Sequence, residues 1–248
     1  MPESPKPDPA SDWPILVLTL EGDADRRAPL VEALTARAIG FTTLAGIDGR
    51  NGLPATCESR IDRAAAKERY GRMLSDAEFA CGLSHQSAYA QILREGWPGA
   101  VILEDDAIPA RGFFDFLQVR GYTRSDLILL YHSHARVRGP SIPLAPGIDG
   151  RRLSLPARGA VGYSVSARAA RYLVAAGTPL SDVADWPGDI TALGSLAVTP
   201  LIVEHPNGTG ASSALEAGRT KVRSRPGRFL QPGYWRRWWL KRTSRRIT

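Results

Sequence analysis

Apolar residues fall along the chain in short runs separated by polar turns and by stretches of four-residue spacing, a rhythm that predicts alternating strands and helices. Residues 14–20 (PILVLTL) form a continuous apolar run rich in β-formers, as expected of a strand covered on both faces. After the polar turn EGDADRR, Leu30, Leu34 and Ala38 recur at helical spacing up to Gly40. A second strand is predicted at 41–45, running into the loop GIDGRNG. Ser75 followed by Glu78 is a capping-box pattern and opens a helix to about Arg94, with Cys81, Ala88 and Ile92 on one face. Further strands are predicted at 100–103, 126–131 and 196–203, and helices at 112–119 and, behind Ser166, at 167–176 with a stop at Gly177. Residues 136–158, rich in Gly, Pro and Arg, read as a long loop or a hairpin. The pattern predicts one α/β domain with an open, mostly parallel, Rossmann-like sheet flanked by helices, and it contains no internal repeat.

Length and charge refine this picture. A chain of 248 residues, 43% of them hydrophobic, buries a core without metals or disulfides to staple it. The net charge of +7 is unevenly spread: residues 218–248 hold 11 of the 32 Lys and Arg and none of the 25 acids, which leaves the rest at −4. The expected organisation is a proline-rich disordered lead (1–12), a mildly acidic body (13–217) and a basic, Trp-rich tail (218–248). The polar start, the two cysteines and the absence of any apolar run near 20 residues favour a cytoplasmic protein without a membrane span.

Candidate chemistry centres on VILEDDA. Glu104, Asp105 and Asp106 follow a buried strand, where open α/β sheets bind ligands. Three adjacent carboxylates repel one another, and a divalent cation offsets that cost and can grip a diphosphate. Strand alternation sends Glu104 and Asp106 to one side and Asp105 to the other; a solvated acidic turn is the plain alternative. His132 and His134 follow another strand end, weakly suggesting a metal pair. Cys57 and Cys81 lack metal-site spacing and read as inert, and no Walker or dinucleotide loop is present.

Six segments in order resemble glycosyltransferase family 25, the group of lipooligosaccharide galactosyltransferases: PILVLTLEGDADRR, AGIDG, LSDAEFACGLSHQSAY, VILEDDA, GAVGYSVSARAARYL and the stretch from VADW to PLIVEH, together spanning about 13–215. The resemblance implies a GT-A fold, a nucleotide-sugar donor such as UDP-galactose, a glycan or lipid-linked acceptor of lipopolysaccharide, Mn2+ or Mg2+, and inversion at the anomeric carbon. By position, Leu18, Leu20, Asp25 and Arg27 would border the nucleotide, with Arg27 on a phosphate or on a neighbouring carboxylate. Asp106 would be the metal ligand, joined by Glu104 and by His205, which would otherwise hold a phosphate or be an ordinary surface histidine, while Glu104 or Asp105 would contact ribose, sugar or metal-bound water. Ser84 and His85 match the family's SH pair; His85 would lie near the donor or be a hydrogen-bonded helix histidine. Asp185 would be the general base, chosen over Asp182 and Asp189, although VADW departs from the family's commoner proline-valine-aspartate. Gly162, Tyr163 and Trp186 would contact the acceptor, Trp186 being otherwise a core residue. Nucleotidyl transfer on the same acids and a non-catalytic glycan- or membrane-binding homologue are the competing readings.

Trp235, Trp238 and Trp239 lie at three- and four-residue spacing among Arg236, Arg237, Lys241 and Arg242. This pattern suits an anionic membrane surface, so the protein is expected to sit peripherally on the inner face of the cytoplasmic membrane. A solvated tail packed on the body and a nucleic-acid partner are weaker readings.

Overall fold

The structure, a computed structural model, describes residues 12–206 and 234–247. The expected lead therefore lies almost wholly outside the described residues, as does the start of the tail. The elements are β1 (Ile15–Thr19), α1 (Ala24–Thr35), β2 (Thr42–Ala45), α2 (Arg63–Tyr70), α3 (Asp76–Arg94), β3 (Gly99–Glu104), β4 (Ile108–Pro109), α4 (Arg111–Gln118), β5 (Leu127–Leu129), β6 (Ala135–Ala145), β7 (Ile148–Leu153), β8 (Gly162–Ser166), α5 (Ala167–Ala176), β9 (Leu196–Thr199), β10 (Val203–Glu204), α6 (Tyr234–Thr243) and β11 (Arg245–Ile247).

Nine strands form one sheet in the order β11-β6-β7-β9-β5-β8-β3-β1-β2, and β10 pairs with β4 beside it. Period-two alternation divides each central strand between two cores. Leu16, Leu18, Ala100 and Ile102 face α3 and α5 through Ala88, Tyr89, Ile92, Ala170 and Leu173. Val17, Val101 and Leu103 face α1 and α4 through Leu30, Leu34, Phe113 and Phe116. A helix layer on each face explains why β1 and β3 carry unbroken apolar runs.

The sheet is mixed, not mostly parallel. β1 runs parallel to β2 and β3, and β5 to β9, but β8 is antiparallel to both β3 and β5. Sequence reading missed β8 because GYSVS is short and merges with the cap of α5, whose first turn is closed by the Ser166 hydroxyl accepting from the Ala169 N–H. Residues 136–158 do form a hairpin, β6–β7, which extends the sheet antiparallel. Helix α1 ends earlier than expected: Ala38, at φ +53°, makes the left-handed turn that Gly40 was expected to provide. The capping box of α3 is present, with the Ser75 Oγ accepting from the Glu78 N–H and the Glu78 carboxylate accepting from the Ser75 N–H.

Away from the cleft, the Asp126 carboxylate before β5 accepts from the Ser166 hydroxyl at 2.6 Å and from Arg168 Nε at 2.9 Å. The Arg168 bond holds this carboxyl below its ordinary 3.8. A depressed carboxyl contributes stability that is present above the unfolded value and lost as pH falls through the folded one. Asp126→Asn should therefore destabilise the chain at pH 7, by a small amount because Arg168 is exposed, with the difference from wild type closing progressively below about pH 4. Urea titrations of both proteins at pH 7 and pH 3 check this.

Candidate active site

The C-terminal ends of β1 and β3, the loop after β2 and one side of α3 enclose a cleft of about 530 Å³. Its walls come together because two glycines allow close approach. A Cβ at Gly49 would lie 2.5 Å from the Asp76 carbonyl oxygen, and one at Gly46 would meet Leu20 and Ser84. Ser84 ties this loop to α3, since its Oγ accepts from the Ile47 N–H and donates to the Ala80 carbonyl, both at 2.8 Å. Leu18, Leu20, Ser84, His85, Glu104, Asp105 and Asp106 all line the cleft.

The acid cluster departs from simple alternation. β3 ends at Glu104 and the chain turns there, with the Ala107 N–H donating to the Glu104 carbonyl at 3.0 Å. Asp105 and Asp106 consequently face the same cation. It is Arg26, whose Nε lies 3.1 Å from Asp105 Oδ1 and whose Nη2 pairs with Asp106 Oδ2. Arg27, expected at the nucleotide, instead points Nη1 at the Thr19 hydroxyl, 3.4 Å away. Asp25 is exposed in the first turn of α1, and neither residue lines the cleft. Successive helix residues are about 100° apart, so only one of two adjacent arginines faces the acids; Arg26 was missed because the phase of α1 is not legible from the string RR.

His205 reaches the same cluster, its Nε2 lying 3.0 Å from Asp106 Oδ2. That bond raises the imidazole above its ordinary 6.5. Burial works against ionisation of Asp106, but His205 and Arg26 outweigh it and hold the carboxyl below 3.8; burial dominates at Asp105, which is pushed up. The other Asp106 oxygen, Oδ1, is buried and has no hydrogen-bond partner among the described residues. Two more cleft residues escaped sequence reading: Asp23 and Arg50, paired at 3.0 Å, with Arg50 also 2.8 Å from Asp48.

His85 is buried and connected on both sides. Its Nδ1 lies 2.7 Å from the Tyr163 hydroxyl and its Nε2 3.1 Å from Glu104 Oε1, while the Tyr163 hydroxyl donates to that of Tyr89 at 3.0 Å. Cys81 Sγ lies within 4.8 Å of ligand atoms of His85 and Glu104, a grouping able to hold a metal ion, which the spacing argument about cysteines had overlooked. Tyr163 is fully buried behind His85, and Gly162 packs on Val203; neither is an accessible acceptor contact. His132 is buried and donates Nε2–H to the Val198 carbonyl at 3.0 Å, while His134 is exposed, so they form no pair at the cleft.

A second cavity of about 130 Å³ adjoins the first, with Cys81 and Glu104 lining both. Asp185 lines it, and its Oδ1 accepts from the Gly159 N–H at 2.8 Å. The two other aspartates considered as base are used structurally. Asp182 is pinned by Arg69 at 2.5 Å and by the Tyr70 hydroxyl at 3.1 Å, and Asp189 accepts from Thr191 N–H and hydroxyl. Trp186 is a core residue: its Nε1–H donates to the Ala157 carbonyl at 2.8 Å and its ring meets Tyr163 edge-on at 5.0 Å. This packing fixes the backbone at φ +120°, a costly conformation for a side chain with a Cβ, and sets Asp185 at the cavity wall.

The family model for glycosyltransferase family 25 (LPS biosynthesis protein) matches residues 13–137. The chain belongs to glycosyltransferase family 25. The match carries the acids, Arg26, Ser84 and His85, whereas the segments around Tyr163, Asp185 and His205 lie beyond it. No curated protein matches the chain. Among solved structures, the crystal structure of A197 from STIV aligns at 10% identity and a TM-score of 0.41, covering 79% of this chain and 85% of that one, a likeness too low to bear on function.

If Trp186 holds the Asp185 turn, Trp186→Ala should cost about 3–5 kcal/mol through the lost indole and the cavity it leaves. Chemical denaturation measures this; a loss below about 1 kcal/mol would contradict the anchoring role.

Proposed function

We propose that this family 25 glycosyltransferase uses a GT-A-type site to move a sugar from a nucleotide diphosphate onto a hydroxyl of a glycan or lipid-linked acceptor, with inversion. The observation that carries the reading is the pair of adjoining cavities sharing Glu104, one with arginines and acids, the other with Asp185. The larger takes the donor. Arg26 and Arg50 offer guanidinium forks to its phosphate oxygens, and Leu18, Leu20 and the Gly46–Gly49 loop pack the nucleoside. The smaller admits the acceptor hydroxyl beside Asp185. In the reaction the acceptor oxygen bonds to the anomeric carbon, the bond from that carbon to phosphate breaks, Asp185 takes the hydroxyl proton and the nucleoside diphosphate leaves. The likeness to galactosyltransferases makes UDP-galactose the donor to try first.

A divalent cation, Mn2+ or Mg2+, would when bound offset charge on the leaving diphosphate; Asp106 would contribute its unpartnered Oδ1, while Glu104 is grouped with Cys81 and His85, the set whose ligand atoms lie within 4.8 Å of one another among the described residues. Arg26 supplies positive charge at Asp105 and Asp106 from within the chain.

Two experiments test the assignment. Calorimetric titration with UDP should show Arg26→Ala binding at least tenfold more weakly, about 1.4 kcal/mol, with Arg26→Lys intermediate and Arg27→Ala unchanged; equal loss in the Arg26 and Arg27 variants would overturn the donor-site geometry. Asp185→Asn should lower transfer by about 10²–10⁴-fold with UDP affinity and unfolding midpoint retained, measured as glycosylated product per unit time. Nucleotidylated product in place of glycosylated product would instead favour nucleotidyl transfer.

A further inference from the structure

The described part of the tail is an ordered attachment on the body. β11 adds to the sheet edge antiparallel to β6, pairing Arg245 with Val137 and Ile247 with Ala135. Arg136 reaches back to the end of α6, donating from Nη1 to the Lys241 carbonyl at 2.5 Å and to that of Ser244 at 3.4 Å. Leu240 and Ile247 are buried, with Ile247 in the same core as Leu16 and Ile102. These contacts fix which side of α6 faces outward.

That outward side is aromatic and basic. Trp235, Trp238 and Trp239 are 64%, 41% and 55% exposed. With Arg242 they occupy positions i, i+3, i+4 and i+7 and share a helical face. The Arg242 guanidinium lies 4.4 Å over the Trp238 ring, and Trp235 and Trp238 meet edge-on at 6.0 Å. Arg237, Lys241, Arg245 and Arg246 are also exposed, and residues 218–248 contain no acid. No helix among the described residues is long and apolar enough to cross a membrane.

We infer that α6 and β11 form a rigid platform that docks the protein on an anionic lipid bilayer. Indole rings prefer the headgroup layer, where one edge is wet and the other apolar, and the surrounding cations complement a negative lipid surface. Each basic residue near such a surface strengthens binding about fivefold, so the platform gathers many weak contributions without a spanning segment. Because β11 belongs to the catalytic sheet, docking also orients the body. Six strand spacings separate β11 from β3, so the acid cluster lies about 30 Å along the sheet from the platform, where it meets the glycan end of a lipid-linked acceptor. The docking itself does not depend on the donor or base assignments, and its failure would leave them standing.

The test is flotation of the full chain with vesicles of phosphatidylcholine alone or with 30% phosphatidylglycerol, at low and high salt, with tryptophan emission recorded. The expected result is binding to the anionic vesicles, weakened by salt, with a blue-shifted emission. The Trp235→Ala/Trp238→Ala/Trp239→Ala variant should lose binding at least tenfold, as should Arg237→Glu/Lys241→Glu, while both keep the wild-type melting temperature. Should the triple variant not fold, the charge-reversal variant and the salt dependence still test the inference. Absence of flotation, equal binding to neutral vesicles, or unchanged binding by folded variants would overturn it. So would tight, salt-sensitive binding to single-stranded DNA with no vesicle binding, which would mark a nucleic-acid surface.

Discussion

Three successive carboxylates at the end of a buried strand repel one another, and the surroundings of β3 are organised around that repulsion. Glu104 is held by His85, Asp105 by Arg26, and Asp106 by Arg26 and His205 together. These partners come from α3, from α1 and from the chain after β10, so the cluster ties distant segments to one point. Desolvation works against ionisation of both aspartates; at Asp106 the bonds from His205 and Arg26 outweigh it and lower the carboxyl, while at Asp105 burial outweighs Arg26 and raises it. The other Asp106 oxygen, Oδ1, is buried there with no hydrogen-bond partner among the described residues.

The second organising feature lies behind the first. Tyr89, Tyr163, His85 and Glu104 form a hydrogen-bonded line from the core to the wall shared by both cavities. Three of its four members are buried, so the line fixes the imidazole orientation and with it the position of the Glu104 carboxylate. On the far wall, the strained Trp186 turn presents Asp185. Rigid core aromatics thus set the spacing between the two regions where bonds are proposed to break and form.

Much of the fold was legible because both helix layers leave the same imprint on β1 and β3: unbroken apolar runs followed by polar turns. The capping box of α3 and the Ser166 cap were legible for a local reason, since each hydrogen bond joins residues three apart. What was hidden is long-range. The direction of β8 depends on pairing partners at either side, 61 and 36 residues away for Tyr163 with Ile102 and for Ser164 with Ile128 respectively, and nothing in GYSVS records it. In the site, the acids, Ser84 and His85 were readable as a motif. Arg26 needed the rotational phase of α1, and the structural use of Asp182 needed Arg69, over a hundred residues earlier. Trp186 carried two readings in sequence, and only its indole bond to Ala157 places it in the core.

The central claim, that the cleft beside the EDD cluster receives a nucleotide-sugar donor, is tested most directly by the melting temperature of the full chain against a panel of nucleotide sugars, nucleoside diphosphates and monophosphates, each with Mn2+ and with chelator. A ligand at 100 times its dissociation constant adds about 2.7 kcal/mol, well within detection. Stabilisation by a diphosphate nucleotide and its sugar is expected to exceed that by the monophosphate. Equal stabilisation by monophosphates, or no shift with any nucleotide under either condition, would contradict it.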